Sequence, residues 1–563
     1  MTSEGEILAS GQSVTPSWLR ISSFPPIALT RALVAFAFVA QILVAWHFWH
    51  LTWDDSAITL GFARTFASTG RIEPTPGSGI VEGYSTTLWM LLMAAVAKIA
   101  DSPATLLAAA KTATLLLNLG NIVLIRQWLR TWTPEILANL AAGFMGCELM
   151  FYETINGMET PLMLTLIMTM LLLRRRSGLV AYGCFALSGC AFLLTRWEAA
   201  WLLLPFVLAE KPARRTFVTA GTWLATFIAS NLIRLRYFGS IIPNTIIAKR
   251  GTPYSEPSLG LGRQILRHLG AVGNVIGYSE VMLILLLASV LSGSLVEPRL
   301  AKQRFAEALR ASWELRFTVL FAAFCLFLTI VIGPNWGPPA RSFYCGWPFL
   351  FCLLLLPVIL DRGAFPWIPA VLCIIGLVRT ASAVHDMSKP DGPIYMPGAT
   401  VDKVASLNTG LAELQAALRH RNLLFAGPDM GGILLYSNGI RVLDLGALCD
   451  PVLAKRGYDV AIKYVLQERQ PDVIDVHWNW TEQTKFQTSA LFLSRYTPVY
   501  VRGFRLFIAR NLVAQMDPSR LSKHRFTADG HTEVQIPGNG EYRTYGPADY
   551  FLNHEFGTYY IFH

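Results

Sequence analysis

Charge is what this sequence has least of. Only 15% of its 563 residues are charged, against 53% hydrophobic. That balance excludes an ordinary soluble enzyme and points to a chain threaded repeatedly through a membrane. Cysteine is scarce as well: six of the eight, Cys147, Cys184, Cys190, Cys325, Cys352 and Cys373, lie inside apolar runs, where a thiol behaves as a small hydrophobe. Cys345 and Cys449 remain near or beyond the membrane surface with no convincing partner, and no Cys/His spacing of the zinc-binding kind occurs. Neither a disulfide framework nor a zinc site is expected. The first apolar run has no small-residue cleavage site after it and reads as an uncleaved span. Repeats, low-complexity tracts and matching halves of the transporter kind are missing too.

The net charge of +10 carries a different meaning in this setting. Excess Lys and Arg marks cytoplasmic loops and contacts with anionic membrane lipids, and no nucleic-acid partner is expected.

A bilayer span needs about 20 apolar residues. Candidate spans are 27–50, 103–125, 134–151, 160–173, 179–195, 197–209, 216–233, 271–296, 317–332, 343–360 and 365–383. A further stretch, 86–100, is short. Placing Arg126, Arg130, Arg174, Arg175, Arg176, Lys211, Arg214, Arg215 and the basic segment 299–316 inside leaves 86–100 as a re-entrant or juxtamembrane helix. The expected architecture is therefore a polytopic α-helical membrane domain over 1–383, with about 11 spans, followed by a C-terminal α/β domain over 384–563 on the outer side. In the latter, short apolar runs at 422–426, 433–436, 441–445, 473–476 and 498–508 read as strands. They alternate with helical stretches at 400–418 and 451–468. The Gly/Pro turn at 427–432 lacks nucleotide-fingerprint spacing and reads as a plain strand-to-helix turn.

This topology gathers the least ordinary loops on one face: Asp54 and Asp55, Glu82 and Tyr84, Glu159, Arg196 and Glu198, Tyr237 through Lys249, and Asn335, Trp336 and Arg341. The segment 53–85 is long for a connection and is punctuated by Pro74, Pro76, Gly77, Gly79 and Gly83. It reads as a series of turns rather than one helix.

In order along the chain stand WDDSAITLGFA, GSGIVEGYSTTLW, INGMETPL, LTRWEAAWLL, RYFGSIIPNTIIAK, GPNWGPPARSF and LLYSNGIRVLDLGALCDPVLA. Together they resemble the bacterial GT-C glycosyltransferases related to the mycobacterial terminal arabinofuranosyltransferase family, over most of the chain. The sequence departs from that pattern at Trp197, where the family usually has Pro, and at Asn335, where it usually has Asp. The resemblance implies a GT-C enzyme of the bacterial inner (plasma) membrane, with its active site and C-terminal domain facing the periplasm. It implies transfer of a pentofuranose, typically arabinofuranose, from a polyprenyl phosphate to an acceptor hydroxyl on a glycan, lipid or protein. The alternatives are a GT-C transferase using another lipid-phosphate sugar, a hexose or aminoarabinose, and a transporter of lipid-linked sugars.

A lipid-phosphate sugar carries its own leaving group, so the enzyme must supply a base, positive charge for the departing phosphate, and a wall for the sugar. The resemblance makes Asp54 the base and Asp55 its competitor or orienting neighbour. For the phosphate the leading candidate is Arg341, which follows a Gly/Pro-rich turn at the head of an outer-facing span; Lys249, Arg64 and Arg196 are the others. Glu82, Tyr84, Glu159, Glu198, Tyr237, Asn244, Asn335 and Trp336 are candidates for the sugar and acceptor. Each has a plainer reading: helix termination for the aspartates, headgroup anchoring for the cations, a Glu198–Arg196 pair, an aromatic belt for the tyrosines. Asp54, Asp55, Glu82 and Glu159 are also a conceivable oxygen set for a divalent cation. The family picture needs none, so no cofactor is expected. Inversion by single displacement and retention by double displacement both stay open.

Overall fold

The computed structural model describes residues 27–210, 214–250, 262–263, 266, 269–270, 307–332, 341–360, 368–389, 401–418, 422–437, 439–537 and 545–563. The expected span 271–296, Asn335 and Trp336 lie outside the described residues. The apolar part of the chain forms α1 (Ile27–His47), α2 (Asp54–Thr69), α3 (Thr87–Ala97), α4 (Pro103–Arg130), α5 (Glu135–Phe144), α6 (Phe151–Asn156), α7 (Thr160–Arg174), α8 (Leu179–Leu193), α9 (Ala199–Leu208), α10 (Arg214–Phe238), α11 (Asn244–Arg250), α12 (Trp313–Ile332), α13 (Trp347–Leu360) and α14 (Ile368–Ser388). Among the described residues α1, α4, α10, α12 and α14 are long and apolar enough to cross a bilayer. Helices α7, α8 and α9 have 15, 15 and 10 residues. Their rise of about 15–22 Å falls short of the roughly 30 Å hydrocarbon core.

Three departures from the sequence reading have local causes. Segment 53–85 is not all turns: its prolines begin at Pro74 and Gly61 is the single glycine before Gly70, so 54–69 is free to coil into α2, which Gly70 ends in the left-handed conformation at φ 71°. The run 134–151 is not one helix either. A π-turn at Met145–Leu149 interrupts it, and the Gly146 carbonyl accepts a hydrogen bond from Gln41 Nε2 at 2.7 Å. Finally, α12 starts at Trp313 rather than 317, because Trp313 stacks on Phe317 and lies beneath the Arg174 guanidinium.

A set of ion pairs gathers toward one end of the bundle, whereas Gln41, Asn118, Asn121 and Thr154 are buried within it and hydrogen-bonded there. At that end Glu135 pairs with Arg31 and Arg126 at 2.9 Å each, Arg174 pairs with Glu210, and Arg175 reaches Glu314 at 2.8 Å. Thr52, Asp54, Arg64, Ser78 and Asn244 contact the C-terminal domain. That domain opens with α15 (Val401–Ala417) and forms a mixed seven-stranded sheet of order β2-β1-β3-β5-β4-β7-β6. Its strands are β1 (Leu424–Gly427), β2 (Arg441–Asp444), β3 (Val473–Ile474), β4 (Tyr496–Val501), β5 (Phe504–Ala509), β6 (Leu521–Arg525) and β7 (Thr558–Phe562). β2, β1 and β3 run parallel, whereas β5 is antiparallel to both β3 and β4, so the run 498–508 is a tight hairpin rather than one strand.

The run 433–436 is not a strand but part of α16 (Gly431–Tyr436). Six residues hold no helix by themselves; α2 holds this one. Asp54 accepts the Gly431 and Gly432 amides at its N-terminus, at 2.7 and 2.6 Å. Arg64, nearly three turns along α2, donates to the Leu435 and Ser437 carbonyls at its C-terminus, at 2.8 and 3.0 Å. Between them Gly61 lets the two backbones close, since a Cβ there would lie 2.5 Å from Leu434 Cβ. One continuous core runs from Ala57 and Phe62 of α2 through Trp89 and Met93 of α3 into Leu434, Phe425 and Phe507. The change at 383/384 is thus one of composition, not of packing.

Filling that contact should separate the two parts. Gly61→Val is expected to cost about 1–3 kcal/mol by overpacking, read as a lower Tm in detergent and as faster proteolysis of the C-terminal domain. The exposed neighbour change Ser68→Val serves as the control and should leave both unaltered.

Candidate functional site

The chain leaves α1 through a turn fixed by Lys111 of α4. Its buried ammonium donates to the carbonyls of Trp49 and Leu51, the latter at 2.8 Å, and to Thr52 Oγ1 at 2.9 Å. The Thr52 carbonyl in turn accepts Val401 N at 2.9 Å, tying the start of α15 to the same turn. Asp54 and Asp55 then open α2, where carboxylates suit the positive end of the helix dipole. Asp54 is buried, with only 7% of its surface exposed; Asp55 is more open. Burial raises the Asp54 carboxyl well above the usual range, with a further push from Asp429 and a smaller one from Asp55, against the pull of the Gly431 and Gly432 amides. The carboxyl therefore holds a proton more readily than an ordinary aspartate does, as a general base near neutral pH must.

Two further buried charge groups belong to the loops that meet α3. Arg196 bridges Glu159, at 2.9 Å, and Glu198, with Glu159 1% exposed. Arg234 holds Glu82 at 3.0 Å, both nearly buried, and reaches Thr87 Oγ1 at 3.3 Å. Burial raises the Glu82 carboxyl against the attraction of Arg234. The N-terminus of α3 joins the groups: Leu88 N donates to Leu194 O at 2.7 Å and Trp89 Nε1 to Gly157 O at 3.1 Å. Tyr84 packs edge-on against Phe62 of α2, and Gly83 lies where a Cβ would meet Cys449 Sγ at 2.6 Å. Five buried polar atoms here, Tyr84 OH, Thr86 Oγ1, Asn156 Oδ1, Thr160 Oγ1 and Thr245 Oγ1, have no hydrogen-bond partner among the described residues. Buried groups in that state are costly and suit a site completed by a polar ligand.

Of the sequence candidates, Glu159, Arg196 and Glu198 form one buried group, Glu82 is held by Arg234, and Asp54 and Asp55 open α2 at the contact with α16. Other candidates have structural tasks. Arg64 is committed to the carbonyls of α16. Asn244 donates to the Ala447 and Leu448 carbonyls at 3.0 and 2.8 Å, bracing a loop in which non-glycine Ala447 takes φ 62°. Tyr237 accepts Ile72 N at 3.1 Å. Lys249 is exposed on α11. Arg341 opens a 3-10 turn (Arg341–Gly346) packed against α7, the helix that follows Glu159.

Sequence reasoning missed Arg234, two residues before the RYFGS motif that starts at Arg236. It also passed over Asp429, Asp475 and His477, which follow β1 and β3 on the edge of the sheet that meets α2. Their signal was Asp429 inside the turn dismissed as plain, and an acid and a histidine two residues apart after an apolar run. Among the described residues no group of three His, Cys, Asp or Glu side chains is arranged to hold a metal.

No family model matches the chain, and no curated protein does. Among solved structures it is similar to ArnT from Cupriavidus metallidurans bound to undecaprenyl phosphate, at 16% identity over 79% of this chain and 81% of that one, with a TM-score of 0.39. It is also similar to the arabinofuranosyltransferase AftD from Mycobacteria, at 14% identity over 94% of this chain, with a TM-score of 0.41. The chain spans 40% of that protein's length.

Two outcomes follow from the geometry. Arg196→Met strands two carboxylates and should cost about 3–5 kcal/mol, whereas Glu198→Gln keeps a hydrogen-bond acceptor and should cost far less; thermal unfolding in detergent separates them. Asp444, buried under the amides of Gly446 and Cys449, has its carboxyl pushed up to about 7 by burial. A raised carboxyl binds its proton more tightly folded than unfolded. Its contribution is therefore complete below the ordinary aspartate range and is lost as pH rises through about 7. Asp444→Asn should flatten that part of the stability–pH curve.

Proposed function

We propose that this protein is a membrane-bound GT-C glycosyltransferase that moves a pentofuranose, arabinofuranose first among them, from a polyprenyl phosphate to an acceptor hydroxyl at the periplasmic face. The observation that carries the reading is Asp54. It is a buried carboxyl of raised proton affinity at the exit of α1, in a chain whose neighbouring loops hold two buried arginine–carboxylate groups and a set of unsatisfied hydroxyl and amide atoms. The motif series is the second support.

In this reading the acceptor oxygen attacks the anomeric carbon while Asp54 takes its proton, and the bond to the lipid phosphate breaks with its electron pair on the phosphate. Asp55, the more exposed neighbour, orients the acceptor. Glu82, Glu159 and Glu198, fixed by their arginines, present oxygens to the sugar hydroxyls, with Tyr84 OH beside them. Arg196 and Arg234 are each neutralised by carboxylates, so the departing phosphate falls to Arg341 and Lys249. Asn335 and Trp336, which precede Arg341 in the sequence, are assigned to the acceptor on sequence grounds. No resident metal is assigned.

The test is transfer by purified protein from polyprenyl-phosphate arabinofuranose, with hexose and aminoarabinose donors in parallel. Asp54→Asn, folded by its Tm, should lower the rate about 10²–10⁴-fold. Full activity in that variant refutes the base, and transfer from hexose donors alone refutes the pentose.

A further inference from the structure

This inference rests on the transfer reaction proposed above. Asp429 precedes by two residues the Gly431 amide that binds Asp54. Because β3 runs parallel to β1, Asp429 and the run Asp475–Val476–His477 leave the sheet at the same edge. There the imidazole of His477 lies between two carboxylates, Nε2 3.4 Å from Asp429 Oδ2 and Nδ1 3.4 Å from Asp475 Oδ1. Exposure falls along the row, from 24% for the Asp429 side chain through 9% for His477 to 3% for Asp475. Asp475 is thus the buried anchor and Asp429 the member that faces the junction. The backbone on either side of His477 is fixed as well. Arg505 Nη2 donates to Val476 O at 2.9 Å, Trp478 N donates to Asp549 Oδ2 at 2.6 Å, and Arg505 and Asp549 form a fully buried pair at 2.6 Å. Trp478 itself takes φ 50°, a strained turn that persists because those bonds impose it.

We infer that His477, through Asp429, takes over the proton that Asp54 removes from the acceptor, which makes the C-terminal domain a working part of the centre. The proton leaves the acceptor oxygen as that oxygen bonds to the anomeric carbon, resides on Asp54, and passes by way of Asp429 to His477 Nε2. The resulting imidazolium is stabilised by two carboxylates and loses its proton to solvent, restoring Asp54 as carboxylate. Phosphate departs with the electron pair of the broken bond, so the step needs no other reactant. The charged or titratable groups that face Asp54 are Asp55 on its own helix, Asp429, and Cys449 from the loop beyond β2. Those around His477 include Asp429, Asp475 and the Arg505–Asp549 pair behind its backbone. His477 is a positioning and relay residue in this scheme, because it acts through Asp429 and Asp54.

The test uses the full chain in detergent, with His477→Gln and Asp475→Asn. Each should lower kcat about 10²-fold with the donor KM unchanged, and should shift the pH–rate profile, while Tm shows the fold intact. An infrared pH titration, following the protonated-carboxyl band that disappears in Asp54→Asn, reads the coupling without turnover. Its midpoint should move in His477→Gln. Wild-type kcat and pH profile in His477→Gln, with wild-type transfer active, overturn the relay and leave the transfer reading standing. If the wild type transfers none of the sugars, that reading fails, and the infrared midpoint decides the relay alone: an unmoved midpoint overturns it.

Discussion

The grip of α2 on α16 is the constraint on which the outer half of this molecule depends. A six-residue helix has too few internal bonds to offset the cost of nucleation, and its orphan amides and carbonyls need partners. Here both ends are met from one neighbouring helix, a carboxylate at the positive end of the dipole and a guanidinium at the negative end. The favour is mutual. Asp54 and Asp55 also sit in the first turn of α2, so Asp54 stabilises two helix N-termini at once. Gly61 makes the approach close enough for those bonds, and the apolar faces of α2 and α16 then merge into one core with the sheet. Hydrophobic burial supplies the adhesion; the two capping contacts set the register.

That register decides which charges face one another. Buried ions persist only when paired, because the desolvation cost of a lone one exceeds what its surroundings return. Glu82 with Arg234, and Arg196 between two glutamates, obey the rule. The second group has one carboxylate more than it has guanidinium, so it offers a phosphate no net attraction. Positive charge for a leaving phosphate would have to come from outside these pairs.

Much of this was legible in the sequence, and the limits follow from the physics. Apolar runs and the arginine clusters of 126–130 and 174–176 located the helices and sorted their ends, because hydropathy and loop charge are local properties. Parity of the spans was the whole ground for assigning Asp54, Glu82, Glu159, Arg196 and Glu198 to one side. Tertiary overrides did not show. The run 433–436 has strand-like composition and became a helix only because α2, 370 or so positions away, caps it. Gln41 drew out the π-turn at Gly146 by a bond no local pattern encodes. Arg64 and Asn244 looked like free polar side chains, yet each spends its hydrogen bonds on backbone carbonyls across the junction.

The same contacts explain why the candidate base sits at a joint between two parts of the chain. A carboxylate that accepts two amide hydrogens is acceptor-only; once protonated, one oxygen becomes a donor and meets an amide N–H that can give it nothing. Protonation of Asp54 therefore weakens its hold on α16, and deprotonation restores it. The base and the junction share one titration. A reaction that leaves a proton on Asp54 would loosen the register that defines the site unless the proton moved on quickly. Placing an acid–histidine row directly beyond the α16 cap, on the strand edge that faces α2, meets that requirement with residues the fold already brings there.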